Sequence, residues 1–92
     1  MSSMTIAINN TNGIQSDKHY AIFVGTTLVP DGENRWRIAE MPLITGPYET
    51  DDEAYDGECG EVDEIVYGWA LIDMIQTGSL KGVEVAFFPA NL

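Results

Sequence analysis

From Met4 to Asn9 the chain alternates Met4, Ile6 and Ile8 with Thr5, Ala7 and Asn9, the period of a half-buried strand. Asn12-Gly13 marks a turn, and His19 to Leu28 follows as a β-branched and aromatic run that is apolar on both faces. That pattern predicts a central strand, closed by Pro30-Asp31-Gly32. Alternation resumes from Asn34 to Glu40, which would turn Trp36 and Ile38 to a core and put Arg35 and Arg37 on the opposite face; Pro42 and Gly46-Pro47 then break the run. The last strand signal is Val83, Val85 and Phe87 set between Glu84, Ala86 and Phe88, ended by Pro89.

Between the third and last of these runs the period changes. Thr50-Asp51-Asp52-Glu53 has the spacing of a capping box, in which the Thr hydroxyl and the Glu carboxylate satisfy backbone donors at a helix start. Tyr55, Cys59, Val62, Val66 and Trp69 then recur at helical spacing as one apolar stripe, with Thr77-Gly78 as the stop. Gly57, Gly60 and Gly68 each cost a helix about 1 kcal/mol relative to Ala, so the stripe fits one long or kinked helix, or two broken near Gly57 to Gly60. The expected order is β-β-β-α-β: an α+β fold with a small antiparallel sheet of about four strands and one acidic helix packed across a face.

Length confines this to one domain over residues 1–92. A content of 45% hydrophobic residues is enough for a core and argues against disorder. A lone Cys59 makes no internal disulfide and no signal-like leader opens the chain, which points to a reducing intracellular compartment. No apolar run approaches the roughly 20 residues that cross a bilayer, so no membrane role is expected.

Charge changes the picture most. Fifteen carboxylates stand against four basic residues, for a net charge of -11, and such a chain repels free DNA while being drawn to basic protein surfaces. Glu49, Asp51, Asp52, Glu53, Asp56, Glu58, Glu61, Asp63 and Glu64 crowd one stretch that no Lys or Arg interrupts. On a helix with its stripe against the sheet, Glu53, Asp56, Glu61, Asp63 and Glu64 would fall near the solvent side as a row of charges resembling phosphates. A solvated helix face would look similar, but one selected for stability alone gains from Glu–Lys pairs that are missing here.

Other chemistry finds less support. Registered on Gly57 as the sixth position of a calcium loop, Asp52 to Asp63 puts Ala54 at the third and Asp63 in place of the final Glu, so a ligand is missing. Cys59 and His19 are single residues in separate elements with no orienting third group, and four zinc ligands are absent. No catalytic residue, metal or cofactor is therefore assigned. Arg35 and Arg37 flank Trp36 and would pair with nearby acids or reach a nucleic-acid phosphate once the acidic face has docked. Tyr48, Tyr55, Trp36 and Trp69 read as core or staple residues, whereas Tyr67 lies off the stripe and suits an interface anchor.

In size, charge and element order, and in the stretch Gly46-Pro47-Tyr48-Glu49-Thr50-Asp51-Asp52-Glu53-Ala54, the chain resembles the small phage-encoded anti-CRISPR proteins of the type I-F group. The resemblance implies a non-enzymatic inhibitor in the host bacterial cytoplasm. It would bind basic Cas-protein surfaces of a crRNA-guided complex, with possible contact to the crRNA, and block target DNA binding. A nucleic-acid mimic directed at another host protein, and a small phage structural or assembly protein, are the alternatives. The oligomeric state stays open.

Overall fold

The computed structural model describes residues 5–57 and 62–89. They form β1 (Thr5–Ile8), β2 (His19–Pro30), β3 (Trp36–Tyr48), α1 (Asp51–Gly57), β4 (Glu64–Tyr67), α2 (Gly68–Gln76) and β5 (Glu84–Pro89). The five strands make one sheet in the order β1-β5-β3-β2-β4. All pairs are antiparallel except β3 with β5, which run parallel, as a connection through α1, β4 and α2 allows.

The expected α+β arrangement of a four-stranded antiparallel sheet under one long acidic helix is therefore wrong. Among the described residues 48% are in strands against 19% in helices, and the helices are two short ones. The capping box does start a helix: Thr50 Oγ1 accepts the Glu53 amide at 3.1 Å, while Glu53 Oε2 accepts the Glu49 amide at 3.2 Å. That helix ends at Gly57, and the second half of the apolar stripe is divided between β4 and α2. Val66 is a strand residue opposite Tyr20, Tyr55 and Trp69 are exposed, and Cys59 lies outside the described residues.

Pro42 and Gly46-Pro47 do not break β3 either. Val24 is paired with Pro42 but donates its amide away from β3, to Asp63 Oδ2, so the pair is a non-hydrogen-bonded one. The missing proline N–H thus costs no bond to β2, and β5 takes up its recorded pairing only at Leu43. Farther along, Gly46 at φ 148 lies where a Cβ would come within 2.6 Å of the Tyr20 ring.

Alternation along β2 divides the core between the two faces. Tyr20 and Ile22 join Ile44 and Val85 on one face, where Leu71 and Ile75, a helical turn apart, bring α2 down together with Leu80. Ala21 points the other way and meets Tyr48 and Ala54, seating α1 on the opposite face. A third cluster on the α1 face joins Val29, Met41, Leu43 and Ala86. Val29 pairs with Arg37 while Met41 pairs with Gly25, four positions back, so this cluster runs along the β2–β3 ribbon toward its hairpin end.

The junction from β4 into α2 is held by a close backbone approach. Gly68 donates its amide to the Lys18 carbonyl at 2.8 Å and Trp69 donates to Ser16 at 3.2 Å. A Cβ on Gly68 would stand 1.9 Å from the Gln15 carbonyl oxygen, a backbone atom that cannot step aside. Gly68→Ala is accordingly expected to lower unfolding free energy by about 2–4 kcal/mol in urea titration, although alanine favours helices. An unchanged midpoint would mean that the 15–18 segment is not fixed against α2.

Candidate protein interface

The carboxylates are gathered by two elements rather than one helix. Asp51, Asp52, Glu53 and Asp56 are exposed on α1, whereas Asp63 and Glu64 are exposed at the start of β4. Glu61 and Glu58 lie outside the described residues. Two of the acids have structural duties. Glu53 completes the helix start, and Asp63 extends the β4 edge along β2: its amide donates to the Ile22 carbonyl at 3.0 Å and its Oδ2 accepts the Val24 amide at 3.2 Å. Asp56 and Glu64 make no side-chain bond among the described residues. Glu49 is held by Lys18, with Nζ to Oε1 at 2.5 Å.

The two arginines are not a pair. Arg37 projects from the face that carries Val29 and binds Glu84, Nη2 to Oε1 at 2.9 Å, an exposed ion pair of small net stabilisation. Arg35 is not in a strand; its backbone closes the hairpin loop by accepting the Asp31 amide and donating to Gly32. Trp36 and Ile38, expected in a core, are 63% and 74% exposed, because among the described residues no helix covers this face of the ribbon.

Tyr67 is exposed as expected, and it is not isolated. Its ring lies 4.4 Å from that of His19, its partner across the β2–β4 ladder, and stacks at 6.3 Å and 14° on Trp69. Sequence reasoning missed this row by placing Trp69 on the helical stripe. The available signal was Gly68 between the two aromatics, which reads equally as a strand end and a helix start. His19 Nδ1 is buried there with no hydrogen-bond partner among the described residues.

A separate cleft of about 250 Å³ lies between β1, the 10–14 loop and Gly46-Pro47, with Tyr20 and Phe87 in its wall. Tyr20 spends its hydroxyl accepting the Gln15 amide at 2.9 Å. Among the described residues no three His, Cys, Asp or Glu side chains converge on a possible metal position, and no helix is long and apolar enough to cross a membrane. No known family pattern matches the sequence, no curated protein matches it, and no solved structure matches the fold. The surface has therefore to be interpreted from its own chemistry, which is that of carboxylates beside exposed aromatic rings.

Two groups near the junction titrate above their ordinary values. Burial pushes up the Tyr20 phenol against the lowering effect of the Gln15 bond, and the Glu49 hydrogen bond raises Lys18. Both hold their protons more tightly in the folded chain than in the unfolded one. Their contribution is complete below about pH 10 and is lost as pH rises through the raised values. Urea midpoints should therefore fall on going from about pH 9 to 11. Tyr20→Phe should flatten that fall while costing about 1 kcal/mol at neutral pH through the unpaired Gln15 amide.

Proposed function

We propose that the protein acts by occupancy, setting its carboxylates on a basic surface of a partner that handles nucleic acid. The observation that carries this reading is that all seven described carboxylates between residues 49 and 64 are exposed, that no Lys or Arg lies in that stretch, and that among the described residues only Glu49 of the seven is ion-paired, to Lys18. Charge of one sign concentrated this way raises the encounter rate with a positive surface and disfavours binding to phosphates. Tyr67 ends the strand that Glu64 opens and stacks on Trp69 in the first turn of α2, and the two rings supply a rigid aromatic contact beside the charge. Following the resemblance, the partner is the type I-F crRNA-guided surveillance complex, and the consequence of docking is loss of target DNA binding in the bacterial cytoplasm.

A small structural or assembly protein is the second reading, favoured by one feature. Among the described residues β4 ends the sheet with an unpaired edge beside the stacked Tyr67 and Trp69, which is a surface for strand or aromatic contact without charge recognition.

Tagged protein is expected to retain the Cas subunits from a lysate containing an intact type I-F system, and the recovered complex should no longer bind target DNA. Asp56→Lys with Glu64→Lys, two carboxylates with no structural bond, should weaken that binding by about tenfold or more, with the wild-type affinity itself falling as salt rises. Failure to retain the subunits removes this target. Retention with unchanged affinity in the double variant and no salt dependence removes charge as the mechanism and favours the edge contact.

A further inference from the structure

We propose that Tyr67 and Trp69 form the seat for one arginine side chain of a basic partner protein, with Asp17 and Asp73 as its counter-charges. The inference rests on the partner class proposed above and names the side chain that this surface recognises. Tyr67 and Trp69 are 47% and 62% exposed, and their rings lie 14° from parallel with centroids 6.3 Å apart. Both are held in place. Tyr67 is steadied by the His19 ring at 4.4 Å, and Trp69 by its backbone amide, which donates to the Ser16 carbonyl across the junction.

Two exposed carboxylates flank Trp69. Asp17 lies between Ser16 and Lys18, whose carbonyls accept the amides of Trp69 and Gly68. Asp73 stands one helical turn on from Trp69, on the same side of α2. Asp17 makes no side-chain bond among the described residues, and Asp73 gives one carboxylate oxygen to the Thr77 hydroxyl and keeps the other. The chain has no cation of its own to place here. No Lys or Arg occurs between Arg37 and Lys81. Lys18 is held by Glu49 and Arg37 by Glu84, while Arg35 closes the hairpin loop and Lys81 follows the far end of α2. Among the described residues no cation lies on either ring.

The seat therefore takes a cation from outside. The positive end of α2 does little to oppose this, because its first two amides are already bonded to the carbonyls of Lys18 and Ser16. Arginine fits better than lysine. A guanidinium is planar, lies parallel on aromatic faces and turns N–H groups outward along its edge to carboxylates, whereas an ammonium is a compact and strongly hydrated point charge. The rings thus add a choice of cation to an attraction that the carboxylates of α1 and β4 exert on either kind.

Two blocked hexapeptides of equal charge, one all arginine and one all lysine, separate the seat from the charge when titrated into the full chain at low salt, with the indole N–H signals of Trp69 and Trp36 followed by NMR. The arginine peptide is expected to bind about three- to tenfold more tightly and to move the Trp69 signal more than that of Trp36. Trp69→Leu should abolish this advantage with circular dichroism and Tm unchanged, since the side chain is exposed, and Trp36→Leu should leave the advantage as it was. Asp17→Asn with Asp73→Asn, which keeps both rings, should reduce it. Equal affinity for the two peptides, or an advantage that survives Trp69→Leu, overturns the seat and leaves the charge reading standing. Retention of the full advantage in the double asparagine variant overturns the counter-charges. Binding of neither peptide overturns the charge reading and the seat with it.

Discussion

The antiparallel ladder between β2 and β3 carries the rest of the molecule. β4 adds to the outer edge of β2, β5 adds to the outer edge of β3, and β1 reaches the sheet only through β5. The two helices follow the alternation of β2 as well, since Tyr20 and Ile22 help receive α2 while Ala21, between them, helps receive α1. A slip of one residue in this ladder would exchange the two faces and leave neither helix with a seat. Val24 shows how closely the sequence follows this requirement: its amide turns to Asp63, and a proline is thereby tolerated directly across from it.

Much of that framework was legible in the chain. Period-two alternation located β1 and β5 to within a few residues, a β-branched and aromatic run apolar on both faces located β2, the Thr50 to Glu53 spacing located a helix start, and Thr77-Gly78 located a helix end. What misled was a coincidence of spacing. Tyr55, Val62, Val66 and Trp69 fall on one helical stripe only if the chain between them is helical, and a four-residue strand such as Glu64 to Tyr67 is too short to declare its own period. Proline rules misled at Pro42 because they describe a strand without regard to which of its amides face a partner.

The candidate site was legible in composition and not in geometry. Crowding of acids between 49 and 64 is a fact of the sequence, but that Glu53 and Asp63 bind backbone amides while Asp56 and Glu64 make no side-chain bond among the described residues depends on how the chain divides between α1 and β4. The stacked Tyr67 and Trp69 became visible only once Gly68 was seen to end one element and open the next against the Gln15 carbonyl. The arginines separated for a similar reason, Arg37 lying in a strand register that meets Glu84 and Arg35 in the loop beyond it.

The free-standing part of the hairpin also sets a rule for how such a chain can vary in evolution. Because its two strands are paired residue for residue between Gly25–Met41 and Pro30–Trp36, a length change in one strand alone would shift the register of everything beyond it. Matched insertions of two residues in each strand would instead lengthen the ribbon while returning every later side chain to its own face. Relatives of this protein should therefore differ in the reach of this arm by even, mirrored steps, with the sheet at Ile22 and Ile44 left unaltered.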